Sequence, residues 1–440
     1  MVLKTGFLEN GLAYALNKNP DYSGVVISYV VKYGKRNAPV ELIELPHLLE
    51  HVVAFGGTKR ISSAEVVSLL DYRYEDWEAT TFNDYTIYEI SASKKQYKEA
   101  LDLLSEMVNY SAPSKSLILR EKKRLKMEHF EEINDRLTSA EDISEDEIYG
   151  LDGSKVFYKH KIDSISRVSD SDIHSAYNDF YVPNNSLLIL DGNIDINDAI
   201  HSISLKFGNL SIKEMVQQPL NYWDNPVRNR KTDEDIFVYL PGGSDKTCIS
   251  SICIPLPGSS KMQCVEEFAN LKLLYKIIEG RFEKFVYQNF ERDPMVYSTE
   301  VQTFIDRNRS GIIILNNVLK SDFGGIKSMV VDEMCRVVDG NISKEEIMLA
   351  KRKMRRELRL RGSEPHENAE NLADFFSNNG AFDHYSTMLR VANDASLKSI
   401  KETARNSIDP SGLISLFITQ NKKDGTRMKT KSLESGHGGI

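Results

Sequence analysis

The sequence of 440 residues has few cysteines, no long apolar run and no excess of basic residues. None of its cysteines forms a Cys-x-x-Cys pair, which argues against a disulfide framework, and we expect all four to be buried, reduced thiols. They stand at positions Cys248, Cys253, Cys264 and Cys335. Because no stretch of about 18 consecutive apolar residues occurs, we expect no membrane-spanning helix and no membrane partner.

Basic residues are slightly outnumbered by acidic residues. The 56 Lys and Arg residues against 64 Asp and Glu residues give a formal net charge of −8, so no nucleic-acid partner is expected. The first seven residues lack both the apolar core of a signal peptide and the Arg-rich, acid-poor character of a transit peptide, which makes a cytoplasmic location the expectation. Hydrophobic residues at 41% and charged residues at 27% are typical of a globular chain.

Two halves of the sequence carry elements in a similar order. Runs rich in β-branched and aromatic residues predict strands at 24–31, 236–240 and 248–256. Helical patterns occur at 63–70, 94–109, 115–134, 171–180, 264–287 and 343–361, the last with Ser343 as N-cap and Glu346 in the capping-box position. The repeat predicts a duplicated α+β domain, divided into 1–212, a linker at 213–235, a second domain at 236–430 and a disordered tail at 431–440.

The segment from Pro46 to Arg60 contains the motif His-x-x-Glu-His, formed by His47, Glu50 and His51. On a helix, the two histidines lie one turn apart on the same face, where both imidazoles can bind one metal ion. Glu50 lies beside that face and can reach a water molecule at the metal without being a ligand. Pro46 and the apolar neighbours favour a buried helix, in which these polar groups need partners. The alternative is a surface helix with two solvated histidines.

A catalytic zinc site needs a third protein ligand and one open position. The helix predicted at 115–134 offers Glu121 and Glu128, which are seven residues apart and therefore share a face. Glu128 follows His51 after 76 intervening residues.

These features together resemble the insulinase/pitrilysin family of zinc peptidases. The motif, the distance to Glu128 and the segment Phe-Gly-Gly-Thr-Lys-Arg at 55–60 carry the resemblance. Further segments match in register at Asn10-Gly11, at 84–88 and at 180–192. The resemblance implies an α+β fold of two homologous α/β-roll domains, each a mostly antiparallel sheet packed with helices. Together the two domains would form half of a clamshell chamber.

The resemblance also implies a chemistry. Zn²⁺ is the expected cofactor, bound by His47, His51 and Glu128, where it acidifies a water molecule. Glu50 is the expected catalytic base, which takes a proton from that water and gives it to the leaving amine of a cleaved peptide. Glu121 is expected to orient one of the ligands. The alternative for Glu121 is an ordinary solvated glutamate on a helix.

The substrate-binding edge strand of the family corresponds here to Glu78, Ala79, Thr80 and Thr81. A peptide substrate is expected to add a strand along Ala79 to Thr81. The family usually has Asn before the Ala, and Glu78 stands at that position. The substitution removes an amide donor and adds negative charge, which favours basic peptides. An alignment shifted by one residue is the other explanation of this difference.

The segment 280–297 aligns without gaps to the family's second-half signature, in which an Arg and a Tyr seven residues apart bind substrate and the developing oxyanion. Tyr297 is present and is the second expected catalytic residue. Phe290 stands at the Arg position and Pro294 at a position that is usually Gly. Phenylalanine carries no charge and donates no hydrogen bond, so this pair is incomplete. Arg292 is the alternative donor, although two residues along a helix it faces elsewhere.

Members of the family enclose their substrate between four homologous domains, and some assemble these from two chains of about this size. A complete metal set beside an incomplete Arg/Tyr pair predicts a zinc endopeptidase subunit for short or unfolded peptides. A second homologous subunit would supply the missing pair, in a heterodimer as the first expectation and a homodimer as the second. Two other functions stay open: a catalytically silent structural subunit, and a module that holds peptides without cutting them.

Overall fold

The structure is a computed structural model, and its contacts divide the chain into two compact units that are not contiguous in sequence. Unit 1 comprises Met1–Glu128, His160–Asp224 and Glu357–Tyr385, and unit 2 comprises the remaining segments, His129–Lys159, Asn225–Arg356 and Ser386–Ile440. The structure describes residues 2–132, 134–150, 159–214, 235–240, 242–258, 265–290, 296–305, 309–361, 364–379 and 384–421.

The strands form two sheets. Their bounds are β1 (Val2–Phe7), β2 (Ala13–Lys18), β3 (Gly24–Val31), β4 (Asp76–Thr81), β5 (Thr86–Ser93), β6 (Ser186–Gly192), β7 (Ile236–Tyr239), β8 (Thr247–Pro257), β9 (Val296–Ile305), β10 (Arg309–Leu319) and β11 (Ile414–Thr419). The six-stranded sheet of unit 1 has the order β1-β2-β6-β3-β5-β4, and the five-stranded sheet of unit 2 has the order β7-β11-β8-β10-β9. Only the pairs β2–β6 and β7–β11 are parallel among the described pairs, so both sheets are mostly antiparallel, as expected.

Fourteen helices surround these sheets in the described residues. Their bounds are α1 (Leu45–Ala54), α2 (Ser63–Arg73), α3 (Tyr97–Tyr110), α4 (Lys115–Glu132), α5 (Arg136–Ile148), α6 (Lys159–Arg167), α7 (Asp170–Phe180), α8 (Ile196–Phe207), α9 (Val265–Phe290), α10 (Phe323–Val338), α11 (Lys344–Arg361), α12 (Pro365–Asn379), α13 (His384–Asp394) and α14 (Leu397–Ser407). The α+β class is confirmed, and the predicted helices and strands differ from these bounds by at most three residues. Ser343 and Glu346 form the predicted capping box at α11.

Helices cover both faces of the sheet in unit 1. Residues of α1, α3 and α8, among them Leu48, Leu104 and Ile203, pack in one apolar cluster with β3. On the other face, Leu372 and Phe376 of α12 pack against residues of β2, β5 and β6. Because each face has an apolar cover, all eight residues of β3 are buried and the strand lacks a polar alternation.

The sheet of unit 2 repeats five strands of unit 1 in the same order and with the same pairing sense. The order β2-β6-β3-β5-β4 corresponds to β7-β11-β8-β10-β9, with the parallel pair at the same place. One face of this sheet is covered by α5, whose Ala140, Ile143 and Ile148 pack in an apolar cluster with Ile249 and Ile313. The expected duplication of an α+β domain is therefore present.

Each unit contains a helix from the other half of the sequence. Helix α12 belongs to unit 1, and helix α5 belongs to unit 2. The two helices hold equivalent positions in the repeat, since each follows the long charged helix, α11 or α4. Domain bounds that are single continuous ranges cannot describe such an exchange, because each unit consists of three separate segments. The bounds at 1–212, 213–235 and 236–430 stay a prediction, and most of the linker and all of the tail at 431–440 lie outside the described residues.

One cysteine prediction was wrong. Cys248 and Cys253 are buried, as expected, but Cys335 is exposed, and Cys264 lies outside the described residues. Helix α10 turns Val330, Met334 and other apolar residues at helical spacing toward the core, and Cys335 lies off that face. In the part of the chain that the structure describes, no helix is long and apolar enough to cross a bilayer. The compartment of the protein stays a prediction from the sequence.

Two residues of α8 test the assignment of its buried face. Ile203 is fully buried in the core, whereas Leu205 is 63% exposed. We expect Ile203→Ala to lower the free energy of unfolding by about 2–5 kcal/mol, because it leaves a cavity. The matched change Leu205→Ala is expected to alter it by less than about 0.5 kcal/mol. Urea denaturation followed by circular dichroism measures both, and equal losses would contradict the assignment.

Candidate metal centre

Helix α1 carries the His-x-x-Glu-His motif within the core of unit 1. Pro46 lies in the first turn, where its missing N–H costs no hydrogen bond. Leu48, Leu49 and Val52 anchor the helix in the apolar cluster on the sheet. Every residue of α1 except His47 is buried, and the His47 side chain is itself only 12% exposed. The alternative of a surface helix with two solvated histidines is therefore wrong.

Helix α4 brings a carboxylate to the two imidazoles. The Nε2 atom of His47 lies 3.4 Å from one Glu128 carboxylate oxygen, and the Nε2 atom of His51 lies 3.4 Å from the other. One ligand atom from each of these three residues lies within 4.8 Å of the other two. The sequence placed them together by spacing and resemblance, and the fold brings them together from helices 61 residues apart, counting from Ala54 to Lys115.

The second nitrogen of each imidazole faces another carboxylate. His47 Nδ1 lies 3.2 Å from a Glu44 oxygen, and His51 Nδ1 lies 3.6 Å from a Glu121 oxygen. A carboxylate at Nδ1 favours the tautomer that carries its proton there, so that Nε2 is the nitrogen able to accept a metal. Both Nε2 atoms point to Glu128, which is the arrangement that a shared ion requires.

The donor set fits Zn²⁺. Two imidazole nitrogens and one carboxylate are the ligands of several catalytic zinc sites, which keep a fourth position for water or substrate. The side chain of Glu128 is 41% exposed while His51 is buried, so the cluster opens to solvent on the side of Glu128. Four carboxylates, those of Glu44, Glu50, Glu121 and Glu128, surround two imidazoles, and a divalent cation would balance this excess of negative charge.

The pKa shifts report the same excess of negative charge. Burial alone would lower the pKa of His47, but contacts with Glu128, Glu44 and Glu50 outweigh it and raise that pKa to about 10. The pKa of His51 is raised as well, because Glu121 and Glu128 outweigh its burial. The imidazoles in turn hold the pKa of Glu128 well below its usual range. Each shift shows that this cluster favours positive charge at its centre.

Glu121 does not lie in solvent, so the alternative of a solvated helix glutamate is wrong. Its carboxylate is fully buried, and burial alone would raise its pKa, but the nearby His51 and Arg120 side chains outweigh burial and lower that pKa. Arg120 Nε donates to one oxygen at 2.8 Å, and an Arg124 nitrogen lies 3.9 Å from the other. The arginines therefore keep Glu121 ionised where it faces His51.

Glu50 lies beside the cluster and contacts the edge strand. One of its oxygens is 4.0 Å from His47 Nε2, and the same oxygen accepts a hydrogen bond of 2.9 Å from the Thr81 hydroxyl. Strand β4 ends the strand order of its sheet, so its outer edge has no neighbouring strand among the described residues. Ala79 and Thr80 lie on this strand, and Glu78 is exposed and accepts a hydrogen bond from Thr80.

Glu44 escaped the sequence analysis. It is fully buried at the N-cap of α1 and faces His47 from three residues upstream. The available signal was an acid three residues before a histidine, a spacing that places both on one side of a helix start. That spacing is common in solvated helices, and only the burial of α1 gives it meaning.

The second-half residues lie in unit 2. Phe290 is the last residue of α9, and Tyr297 lies near the start of β9. Arg292 and Pro294 lie outside the described residues. The pairing expected of Tyr297 with an arginine therefore stays a prediction.

Comparison with known proteins gives matches to family models, curated relatives and solved structures. The chain matches the family model described as insulinase, peptidase family M16, over residues 13–149, and that described as peptidase M16 inactive domain over residues 167–354. Among curated relatives, an uncharacterized zinc protease, YmxG, of Bacillus subtilis is 22% identical over 53% of this chain and 57% of that protein. The mitochondrial-processing peptidase subunit beta of Saccharomyces cerevisiae is 29% identical over 27% of this chain and 26% of that protein.

The match to the Bacillus protein thus spans little more than half of that relative's length. A solved structure of a putative M16-like peptidase from Alicyclobacillus acidocaldarius has a similar fold, with a TM-score of 0.75 and 15% identity over 95% of this chain and 98% of that chain. The two family models together match more than half of the chain, and the first contains every residue of the candidate metal cluster. The chain belongs to the insulinase family of peptidases, peptidase family M16.

Proposed function

We propose that this chain is a zinc-dependent endopeptidase subunit that hydrolyses short or unfolded peptides. The observation that carries the proposal is the convergence of His47, His51 and Glu128 on one point, with Glu50 beside it. Membership of a peptidase family supports the reaction class, and the donor set supports Zn²⁺ as the cofactor.

His47, His51 and Glu128 would hold the ion, and Glu44 and Glu121 would orient the two imidazoles through their Nδ1 atoms. When bound, Zn²⁺ supplies a Lewis acid that polarises a peptide carbonyl and acidifies water. Glu50 accepts a proton from the attacking water on its carboxylate and then delivers that proton to the leaving amine.

The substrate would bind by strand addition to β4. Among the described residues, no strand pairs with the outer edge of β4 along Ala79 to Thr81, so an extended peptide can add there. Because Thr81 contacts Glu50, a peptide on this strand would pass next to the catalytic base. Exposed Glu78 adds negative charge at this edge, which favours peptides with basic residues. An extended substrate fits a requirement for short or unfolded chains.

A second homologous subunit is part of the proposal. The chain has its metal set in unit 1, but Phe290 stands where the family has an arginine, and Tyr297 alone cannot replace that positive charge. The partner would supply the Arg/Tyr pair and the other half of an enclosed chamber. A relative of this chain is named as a subunit of the mitochondrial-processing peptidase, which supports a heterodimer. A homodimer is the alternative.

A second candidate function is a catalytically silent subunit of the same fold that binds peptides or supports an assembly. Phe290 favours it, and so does the match of residues 167–354 to a domain described as inactive. The intact donor set in unit 1 argues against it, since a silent subunit has no need of four carboxylates around two imidazoles.

Removal of one imidazole tests the metal site. We expect His51→Ala to reduce bound zinc from about one ion per chain to nearly none, because two remaining ligands bind weakly. His174→Ala, on the exposed face of α7, is the matched control and is expected to retain the ion. Metal analysis by mass spectrometry after dialysis measures both. An unchanged zinc content in His51→Ala would refute the assignment.

Glu50→Gln tests catalysis separately from metal binding. We expect peptide turnover to fall by about 10²- to 10⁴-fold, because an amide cannot accept the proton, while the zinc content stays unchanged. Products from an extended peptide are identified by mass spectrometry in the presence of the partner chain. Glu99→Gln, at an exposed glutamate of α3, is the control that should keep activity. Equal activity of Glu50→Gln and the wild type would favour the silent subunit.

The need for a partner is tested by size-exclusion chromatography with activity measured across the fractions. We expect the chain alone to turn over peptide slowly, because it lacks the arginine of the Arg/Tyr pair. Activity is expected to rise and to elute with a two-chain complex when a homologous chain carrying that pair is added. Full turnover in a monomer fraction would contradict the partner.

A further inference from the structure

The contact between Glu50 and Thr81 joins the catalytic base of the proposed function to the proposed substrate strand. The Thr81 hydroxyl donates a hydrogen bond of 2.9 Å to Glu50 Oε2. The same oxygen lies 4.0 Å from His47 Nε2, so it is the oxygen that faces the ligand nitrogens. Both side chains are buried. A buried, charge-assisted hydrogen bond of this kind is stronger than one in water and restricts rotation of the carboxylate.

Thr81 itself packs against a second threonine. Thr86, directly opposite on β5, has its Oγ1 atom 3.3 Å from that of Thr81. The Thr86 hydroxyl donates to the Tyr33 carbonyl at 2.8 Å, so its single proton is already used. The Thr81 hydroxyl gives its one proton to Glu50, so its approach to Thr86 is a close contact of two hydroxyl oxygens and not a hydrogen bond. This chain of contacts leads from Glu50 to the backbone through residues that are all buried.

We propose that Thr81 is a positioning residue, whose hydroxyl fixes the orientation of the Glu50 carboxylate from the end of strand β4. The proposal rests on the proposed function, in which β4 pairs with the substrate. A peptide added to the outer edge of β4 restrains the backbone that carries Thr81. Binding of an extended substrate and alignment of the base are thereby coupled through one hydrogen bond.

The coupling has a consequence for substrate choice. Peptides that pair fully with β4 are cut efficiently because they hold Thr81, and with it Glu50, in place. Small amides that do not reach β4 leave the end of the strand unrestrained. Since misplacing a catalytic group by about 1 Å can cost about 100-fold in rate, the difference lies in turnover and not only in affinity.

Thr81→Val removes the hydroxyl and keeps the shape of the side chain. In the complex with its partner chain, we expect kcat to fall by about 10- to 100-fold with KM unchanged, because the base is retained but poorly aligned. Thr81→Ser keeps the donor and is expected to recover kcat to within about threefold. Zinc content is expected to be the same in all three proteins.

Thr419→Val is the matched control. Thr419 is a fully buried threonine in β11 of unit 2, and its hydroxyl oxygen accepts a hydrogen bond from the Asn421 amide. We expect this variant to lose stability without losing kcat. A rise in KM at constant kcat for Thr81→Val would show a role in strand pairing alone and would overturn the proposal. Failure of Thr81→Ser to recover kcat would overturn it as well.

A crystal structure of zinc-loaded Thr81→Val tests the positioning without any activity. The Glu50 carboxylate is expected to be rotated or spread over several orientations, and to be single and unchanged in Thr81→Ser. An unchanged, fully ordered Glu50 in Thr81→Val would refute the proposal. If the wild type itself cuts no peptide, the proposed function fails, and this structure still decides whether Thr81 positions Glu50.

Discussion

The candidate metal centre depends on two imidazoles whose Nδ1 atoms face buried carboxylates. Glu44 and Glu121 occupy this side of His47 and His51, and both Nε2 atoms consequently point to Glu128. A carboxylate behind a histidine fixes both the tautomer and the plane of the ring, so the geometry exists before an ion binds. The raised pKa values of both histidines show how strongly this cluster draws positive charge.

The fold supplies this geometry through the burial of α1. Apolar residues of α1 pack on the sheet of unit 1, and they turn His47, Glu50 and His51 toward α4 and the end of β4. The site thus has three sides: a helix with the motif, a helix with the third ligand and its supporting acid, and the edge of a sheet. In the proposed function, a peptide at that edge would meet Glu50 and the open side of the cluster together.

The two repeats share a sheet topology but differ at the candidate metal site. The two sheets have the same strand order, but the motif with its distant carboxylate occurs in unit 1 only among the described residues. Each sheet also takes a helix, α12 or α5, from the other half of the sequence. Such an exchange ties the stability of each unit to both halves of the chain, since each helix covers an apolar sheet face.

The sequence by itself determined the elements, the faces of the helices and the two candidate imidazole ligands, because periodicity and spacing are local properties and the motif of His47, Glu50 and His51 is compact. The choice of Glu128 as the third candidate ligand came from the family resemblance. The sequence also determined that Glu121 and Glu128 share a face. Only the tertiary structure decided that Glu44 faces His47, that Thr81 donates to Glu50 and that α5 and α12 are exchanged. These facts depend on which elements pack together, and contacts between segments distant in sequence leave no periodic signal along the chain.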